Sequence, residues 1–345
     1  MKDSFEGRID EVEIGIAEAR ELVARAFAAT GFTADEAAII TDQIIECELR
    51  GVPNAGLSRA LTLVDVARRC PPHAPITVTR ETSVSALVEG GGHCGYLVAH
   101  RAVELGIEKA LAHGIAVISA RDTAYTGMYV HYLESAARAG LVGMAAGNSG
   151  ARVAPYGATQ ARMGTNPIAF AFPTDSDPVI FDTGTSSVVL SELHLARRLG
   201  LEIGEGLAFD ADGIPTRDPA AALAGAITVW GGYRGSGLSV AVQLLGILAG
   251  GDVQPTDESG SGFLFVAIRP DLFGEPGEFE RRALEFADYA RSAEPVPGGA
   301  PVRLPFDRSA QTRRELVVAG RFPASARVVA ALRELAGEGS VSPRS

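Results

Sequence analysis

Lysine, cysteine and tryptophan are scarce in this chain of 345 residues. Lysine occurs only at Lys2 and Lys109, and 42 acidic side chains outnumber 31 basic ones, which gives a net charge of −11. An acidic chain without a basic cluster has no electrostatic attraction for nucleic acid or for an anionic membrane surface. We therefore expect neither nucleic acid nor a membrane as a partner.

The three cysteines, Cys47, Cys70 and Cys94, form no Cys-x-x-Cys pair. An odd number of widely spaced cysteines argues against a disulfide framework and against a zinc site. The pair His93-Cys94 lies in a glycine-rich segment without further ligands at suitable spacing, so we interpret it as a turn and predict no metal site. The cysteine content suits a reducing compartment, and we expect the protein in the cytoplasm.

Long apolar runs are also missing. Residues 1–6 contain no apolar segment of the kind found in secretory signals, so secretion is not expected. The longest apolar segment, residues 238–249, contains Ser239 and Gln243 and falls short of the ~20 residues that span a bilayer. It predicts a buried helix.

Helical spacing of apolar residues dominates the start of the chain, and strands alternate with helices from residue 76 onwards. Helices are predicted over residues 16–29, 57–69 and from a Thr33/Glu36 capping box to Arg50. Strands are predicted over 83–88, 115–120, 142–146, 168–172, 179–182 and 263–268, and further helices over 98–112, 128–139, 188–199, 237–248, 278–291, 311–318 and 324–336. This order predicts an α/β fold with an N-terminal helical segment and C-terminal helices.

Three regions are expected on this basis. Residues 1–75 form the N-terminal helical segment, residues 76–120 and 295–345 share one α/β domain, and residues 121–294 form a nucleotide-binding α/β domain.

Two segments point backbone N–H groups toward a possible anionic ligand. Residues 227–230 are strand-like, and residues 231–237 form a glycine-rich loop ahead of a helix. The segment Asp182-Thr183-Gly184-Thr185-Ser186 also ends a strand where a helix is expected to begin. The alternatives are a tight turn beneath a buried helix for the first segment and an N-cap at Ser186 for the second. Two such segments in one α/β domain favour a dinucleotide.

A series of motifs runs in one order from Ala34 to about Ala336. They are Glu48-Leu49-Arg50-Gly51, Arg59, Asn148-Ser149, Val153-Ala154-Pro155-Tyr156-Gly157, Gly164-Thr165-Asn166-Pro167, Pro215-Thr216-Arg217-Asp218-Pro219, Gly231-Gly232-Tyr233-Arg234-Gly235 and Ala267-Ile268-Arg269-Pro270. By these motifs the chain resembles the malate/L-lactate dehydrogenase type-2 family, which includes sulfolactate and ureidoglycolate dehydrogenases and reductases of cyclic imines such as piperideine-2-carboxylate.

The resemblance implies a mixed-sheet α/β fold that is not a Rossmann domain, a homodimer, and NAD or NADP as the cofactor. It also implies which residues contact the cofactor: Ser149, Thr183, Gly184, Thr185 and Arg234, with Asn166 shaping the loop that faces it.

Both histidines of the family's active site are missing. Where the family has Ser-His-Gly followed three residues later by Arg, this chain has Asn54-Ala55-Gly56-Leu57-Ser58-Arg59. Where the family has Asn-His-Phe/Tyr-Gly, it has Ala124-Tyr125-Thr126-Gly127. The late Pro-Gly-Glu segment of the family reads Pro305-Phe306-Asp307, and a family lysine is replaced by Arg234, which preserves charge but not shape.

The catalytic candidates are therefore Tyr125 and His131. Tyr125 takes the place of the family's proton-transferring histidine, and a phenol with a pKa of about 10 can donate to a forming alkoxide but is a poor base at neutral pH. His131 lies farther along the following helix. The alternatives are that Tyr125 only packs against the nicotinamide ring and that His131 is an ordinary helix residue.

Arg59 and Asn54 are the candidates for substrate binding. The guanidinium of Arg59 suits bidentate binding of a substrate carboxylate, unless Arg59 is a surface residue of its helix. We predict a NAD(P)H-dependent oxidoreductase that reduces a small carboxylate-bearing ketone or cyclic imine with altered acid–base residues. The alternative is a dehydrogenase-like protein that performs a non-redox step or only binds a ligand, which the missing histidines favour.

Overall fold

The computed structural model describes residues 5–6, 10–256 and 259–338. The outermost residues of the predicted ranges 1–75 and 295–345 lie outside the described residues, as do residues 1–4 of the segment inspected for a secretory signal. The first elements are β1 (Phe5–Glu6), β2 (Glu11–Gly15), α1 (Ile16–Ala28), α2 (Ala34–Leu49), α3 (Leu57–Arg69), β3 (Thr77–Glu81), β4 (Ser85–Glu89), α4 (Gly95–His113), β5 (Ile115–Thr123), α5 (Tyr129–Arg138) and β6 (Val142–Gly147).

The remaining elements continue the alternation of strands and helices. They are β7 (Ile168–Phe172), β8 (Val179–Thr183), α6 (Leu190–Leu199), β9 (Glu202–Ile203), β10 (Ala208–Phe209), α7 (Pro219–Ala224), β11 (Ala226–Ile227), α8 (Tyr233–Leu248), β12 (Ser261–Ile268), α9 (Glu278–Arg291), α10 (Asp307–Ala319), β13 (Arg321–Ser325) and α11 (Ala326–Leu335).

Helix α2 begins and ends where the sequence predicts. The backbone N–H of Thr33 donates to Oε2 of Glu36 at 2.9 Å, and the N–H of Glu36 donates to Oγ1 of Thr33 at 3.3 Å, which confirms the capping box. The chain turns at Gly51, whose φ of +70° favours glycine. It enters α3 at Gly56, where a Cβ would lie 2.2 Å from Oε1 of Glu48. The two helices are therefore joined by a short loop, residues 50–56, pressed against the end of α2.

A seven-stranded sheet forms the central layer, in the order β3-β4-β5-β12-β6-β7-β8. Strands β4 and β5 are parallel, and the other neighbours are antiparallel. The predicted mixed-sheet α/β architecture is confirmed. The sheet combines strands from two of the predicted regions, residues 76–120 and residues 121–294. The division of the chain into three regions stays a prediction.

Strand β5 shows how the sheet separates core from surface. Ala116, Ile118 and Ala120 are fully buried in the core that includes residues of α4 and α5, whereas Ile115 and Val117 are 38% and 39% exposed. Successive side chains of a strand point to opposite faces of the sheet. One face of β5 is therefore buried in the core, whereas apolar side chains on its other face remain accessible.

The glycine-rich segment 231–237 differs from its prediction. Helix α8 begins at Tyr233, so Gly235 and Gly237 lie inside the helix and not in a loop. Of the predicted strand 227–230, Ile227 lies in β11 and Val229 forms an isolated bridge with Ser186. A Cβ on Gly235 would lie 1.8 Å from the backbone oxygen of Trp230. The glycine therefore permits the helix to pack directly on the segment before it.

The apolar helix expected over residues 238–249 is part of α8. Several of its apolar side chains are accessible, including Val240, Leu244 and Leu248, so the helix is not fully buried as predicted. None of the helices among the described residues has the length and apolar character that a bilayer span requires.

Candidate active site

A cavity of about 620 Å³ opens where four parts of the fold meet. The loop of residues 50–56, the segment 125–128 after β5, the ends of β6 and β8, and the start of α10 contribute to its walls. The volume lies within the range of about 300–1,000 Å³ that is usual for small-molecule sites. The charged lining residues among those that the structure describes are Arg50, Arg59, Arg308 and Asp182. A positively charged cavity thus lies in a chain whose net charge is −11.

Arg59, in the first turn of α3, lies over Tyr125 in one wall of the cavity. Its guanidinium carbon is 5.3 Å from the centre of the Tyr125 ring, which is a cation–π distance. Nη1 of Arg59 is buried and has no hydrogen-bond partner among the residues that the structure describes. Tyr125 has a φ of +60°, a conformation that is costly for a bulky residue and that clusters at functional sites. The structure thus brings Arg59 and Tyr125 together, and Nη1 of the guanidinium can still donate a hydrogen bond to a ligand.

Asn54 is buried and lines the same cavity. Its Nδ2 donates to Oγ of Ser191 at 2.7 Å, which ties the loop of residues 50–56 to α6. Its Oδ1 has no hydrogen-bond partner in the described part of the chain. Asn54 therefore retains an acceptor for a hydroxyl or N–H group of a ligand.

Asp182, at the end of β8, is the acidic residue of the cavity wall. Its Oδ2 accepts a hydrogen bond from the backbone N–H of Val130 at 3.0 Å. Enclosure in the protein raises the pKa of Asp182 to about 6, although the N–H groups of Val130 and Tyr129 oppose the shift. Sequence reasoning gave this carboxylate no role of its own. The available signal was its position directly after a strand, in the segment already selected for cofactor binding.

Three of the predicted cofactor residues, Ser149, Thr183 and Gly184, line the cavity. The hydroxyl of Ser149 accepts from the N–H of Thr165 at 3.2 Å, and the hydroxyl of Thr183 donates to the oxygen of Gly184 at 2.9 Å. Thr185 is fully buried behind them, where its hydroxyl donates to the oxygen of Thr165 at 3.0 Å. The hydroxyls of Ser149 and Thr185 thus join their segments to Thr165, before β7, whereas that of Thr183 bonds within its own segment.

Asn166, Arg234 and His131 do not line the cavity. Asn166 is fully buried with a φ of +40°, and its Nδ2 donates to the backbone oxygen of Ser239 and to Oε1 of Gln243, both at 2.9 Å. This fits the predicted role in shaping its loop. Arg234 lies at the start of α8, where its Nε donates to the hydroxyl of Tyr233 at 3.2 Å.

His131 lies in α5 with its ring packed edge-on against Tyr132. Burial lowers the pKa of His131, against the opposing charge of Glu46, so the neutral imidazole is favoured. The structure therefore brings Tyr125, Arg59 and Asn54 together in the cavity and leaves His131 outside it.

Arg50 is a second residue that sequence reasoning missed. It was noted only as part of a motif, yet its side chain is 3% exposed and lines the cavity beside Phe306. Arg308 and Ser309 in the first turn of α10 line the cavity as well. Nothing in the local sequence shows that residues 50 and 308 line one cavity, because they are distant in the chain. Among the described residues no group of three or more histidine, cysteine, aspartate or glutamate side chains is placed to hold a metal ion.

Comparison with known proteins gives a consistent set of relatives. The sequence model of the malate/L-lactate dehydrogenase family matches residues 14–333. The chain is 31% identical over 278 residues to the L-sulfolactate dehydrogenase of Methanocaldococcus jannaschii, covering 78% of this chain and 81% of that protein. It is 33% identical over 317 residues to the Δ1-pyrroline-2-carboxylate reductase of Ancylobacter novellus, covering 88% and 92%.

Comparison of the structure with solved structures identifies proteins of the same kind. The crystal structure of a dehydrogenase from Sinorhizobium meliloti superimposes with a TM-score of 0.87 at 29% identity, covering 95% of this chain and 98% of that one.

Proposed function

The chain belongs to the malate/L-lactate dehydrogenase family, and from that premise we propose that it is an NAD(P)H-dependent oxidoreductase that reduces a small carboxylate-bearing ketone or cyclic imine. Relatives named as dehydrogenases and as reductases support the reaction class. The observation that carries the proposal is the buried, unpartnered Nη1 of Arg59, beside Tyr125, in a cavity of suitable size.

A nicotinamide dinucleotide, NAD or NADP, is the proposed cofactor. It has an apolar ring, hydroxyl-bearing riboses and anionic phosphates, and the cavity offers apolar groups such as Ile180 and Leu190, hydroxyls such as Ser149 and Thr183, and guanidinium groups. The residues present therefore fit such a molecule. When bound, the cofactor supplies the hydride, and the protein supplies position and protons.

Arg59 is proposed to bind the substrate carboxylate. A guanidinium with an unpartnered buried nitrogen gains a charge-assisted hydrogen bond when a carboxylate arrives. Asn54, with its free Oδ1, is proposed to accept from a hydroxyl or imine N–H of the same substrate.

Two groups of the cavity are suited to the proton step. Tyr125 is proposed to donate to the forming alkoxide, and Asp182, whose pKa lies near 6, can exchange that proton at physiological pH. The position of His131 outside the cavity favours Tyr125 over it. A cyclic imine is already protonated when it binds, so it depends less on either group.

We further propose a homodimer. The exposed apolar side chains of α8, Val240, Leu244 and Leu248, and the accessible part of β5 support an interface between two copies. Size-exclusion chromatography with light scattering tests the dimer, and Leu244→Glu is expected to lower the measured mass to that of a monomer. A variant with the same mass as the parent would show that α8 does not form the interface. The cysteines Cys47, Cys70 and Cys94 are unpaired, which supports a reducing compartment such as the cytoplasm.

The proposed function is tested by mixing the protein with NADH or NADPH and observing nicotinamide fluorescence, followed by turnover with small 2-oxo acids and cyclic imino acids. Quenching or a spectral shift, and oxidation of the cofactor with at least one substrate, are expected. Binding of neither dinucleotide at millimolar concentration would favour the non-redox alternative.

A further inference from the structure

The segment of residues 124–127, which carries Tyr125, has an unusual backbone. It follows β5 directly, and two of its residues have a positive φ, +60° at Tyr125 and +79° at Gly127. Such a conformation is ordinary for glycine but costly for tyrosine, so at Tyr125 it persists only where the surroundings enforce it. Neighbouring groups must therefore hold the backbone of Tyr125 in place.

The start of α4 fixes the first side of this segment. The backbone N–H of Gly95 donates to the backbone oxygen of Ala124 at 2.7 Å. A Cβ on Gly95 would lie 2.7 Å from that oxygen and 2.8 Å from the carbonyl carbon of Tyr125. Backbone therefore packs directly on backbone ahead of Tyr125, and this close approach requires a glycine.

The hydroxyl of Tyr132, on α5, fixes the other side of the segment. It donates to the backbone oxygen of Thr126, the residue after Tyr125, at 2.9 Å, whereas the backbone oxygen of Tyr96 is farther away at 3.4 Å. Tyr132 is 2% exposed, and its ring packs against Phe263 with the ring centres 6.0 Å apart. Burial raises the pKa of Tyr132 well above its usual range, so the hydroxyl keeps its proton and remains a donor.

Tyr129, in the first turn of α5, makes a different contact with the same residue. Its hydroxyl lies 3.1 Å from Oγ1 of Thr126, so this hydrogen bond reaches the side chain of Thr126 and not its backbone. Tyr129 is 1% exposed, and its ring also packs against Phe263, with the ring centres 5.4 Å apart. The two tyrosines thus share a helix, a depth of burial and an aromatic neighbour, but they restrain different parts of Thr126.

The backbone strain at Tyr125 and the hydrogen bond from Tyr132 are of comparable size. A left-handed backbone conformation is disfavoured by about fivefold or more for a bulky residue. One hydrogen bond changes a conformational equilibrium by about two- to tenfold in net terms. Loss of the Tyr132 hydroxyl would therefore allow Tyr125 to leave its position in an appreciable fraction of the molecules.

We propose that Tyr132 is a positioning residue, whose hydrogen bond to the backbone of Thr126 holds Tyr125 in the strained conformation that the proton step uses. Tyr132 does not line the cavity, so it acts through Tyr125 and not by contact with the substrate. The inference rests on the proposed function, in which Tyr125 donates to the forming alkoxide. A cyclic imine, which is already protonated when it binds, depends less on Tyr125 and therefore less on Tyr132.

Tyr132→Phe tests the inference, because it removes one oxygen atom and keeps the ring. In this variant kcat for a 2-oxo acid is expected to fall about fivefold, the effect of one lost hydrogen bond, with a smaller change in KM. The kcat for a cyclic imine is expected to stay within about twofold of the parent. An equal loss of kcat with both substrates would show a merely structural role and overturn the inference.

Tyr129→Phe is the matched control, because it removes the same atom from the same helix at the same depth. It is expected to keep kcat for both substrates within about twofold of the parent. In the double variant Tyr125→Phe/Tyr132→Phe, kcat for the 2-oxo acid should equal that of Tyr125→Phe alone, since a residue that acts through the phenol has no effect once the phenol is gone. A further loss in the double variant would overturn the inference.

Hydrogen exchange of the backbone amides, followed by mass spectrometry of the full chain, tests the restraint without turnover. Peptides that cover residues 124–128 are expected to exchange about fivefold faster in Tyr132→Phe, whereas peptides from α3 keep the parent rate. Faster exchange in a protein that turns over no substrate would support the restraint and contradict the proposed redox function. Turnover in the parent with unchanged exchange in Tyr132→Phe would support the redox function and overturn the inference.

Discussion

The two walls of the cavity differ in how completely their polar groups are satisfied. At the ends of the strands, the hydroxyls of Ser149, Thr183 and Thr185 all bond to backbone groups of neighbouring residues. In the wall formed by residues 50–59, nitrogen atoms of Arg50 and Arg59 are buried without a hydrogen-bond partner in residues 5–6, 10–256 and 259–338. The first wall is held together by its own hydrogen bonds, whereas the second keeps buried donors that the described residues do not satisfy.

The difference in hydrogen bonding between the two walls indicates which polar residues interact with a ligand. Buried polar groups are normally hydrogen-bonded, so an exception in a cavity wall marks a place where a ligand supplies the missing partner. The strand-end wall therefore shapes the site, and Arg59 in the other wall is the group that we propose to bind the substrate carboxylate.

The largest effect is expected for Tyr125→Phe. Loss of the phenol should lower kcat for a 2-oxo acid by about 10²–10⁴-fold, the range typical of a lost general acid, and should affect a cyclic imine much less. Steady-state kinetics with both substrates measures this. Tyr156→Phe, at a 67% exposed tyrosine, is the control. An equal loss with both substrates would remove Tyr125 from the proton step.

Arg59→Ala should raise KM for an acid substrate by about 10–100-fold, because a charge-assisted hydrogen bond contributes roughly 1.5–3 kcal/mol. The change in kcat should be smaller. Arg68→Ala, at an exposed position of the same helix, is expected to leave KM unchanged. An unaltered KM in Arg59→Ala would assign Arg59 to a structural role.

Asp182 should determine the pH dependence of reduction. Its folded pKa of about 6 is raised above the ordinary value of 3.8, so the protonated form is populated below pH 6 and lost above it. We expect kcat for a 2-oxo acid to fall as pH rises through about 6, and Asp182→Asn to remove that dependence. Folding stability depends on pH in the same direction. The folded state favours the neutral carboxylic acid of Asp182, so the contribution of Asp182 to the free energy of unfolding is lost as the pH rises through about 6.

Thermal unfolding of Asp182→Asn checks this sign. The variant should gain stability relative to the parent as the pH rises from about 4 to about 6, and the difference should stay constant at higher pH. A pH profile of kcat that is identical in the two proteins would show that Asp182 takes no part in the proton step.

Thr183→Val should weaken cofactor binding only a few-fold, because the hydroxyl of Thr183 already bonds to Gly184. Thr185→Val should weaken it less, since Thr185 is fully buried outside the cavity. Fluorescence titration with NADH or NADPH gives both dissociation constants. A loss of more than a hundredfold in either variant would contradict the view that this wall is self-satisfied.

The smallest effect is expected for His131→Gln. Because His131 lies outside the cavity and its neutral form is favoured, turnover at neutral pH should stay within about twofold of the parent. Steady-state kinetics checks this, with unfolding curves to separate any loss of stability. A hundredfold fall in kcat would return His131 to the mechanism.

Much of the fold could be predicted because its signals are local. The bounds of α3 and α9 agree with the apolar periodicity, and the capping box of α2 is formed by residues three apart. Strands β2 and β13 were missed because each is short and is completed only by pairing with the other, across the length of the chain. Segment 231–237 was misinterpreted because a glycine that permits close packing has the same local sequence as a glycine in a loop.

The candidate site was predicted less completely, for the same physical reason. Tyr125 and Arg59 were identified from their motifs, and the structure places them 5.3 Å apart. Arg50 was overlooked because its surroundings come from α5 and α10. Asp182 was overlooked because its raised pKa depends on enclosure by the whole fold.

Phe306 has a φ of +82°, a backbone conformation suited to glycine, while its ring is 9% exposed beneath Arg50. Holding a phenylalanine in that conformation costs roughly 1–3 kcal/mol, and burying its ring returns about 1.5–3 kcal/mol. The two contributions nearly cancel, so replacement by glycine would change folding stability little while enlarging the cavity by most of a phenyl ring. Position 306 is therefore a place where one exchange, Phe306→Gly, would give the site room for a bulkier substrate.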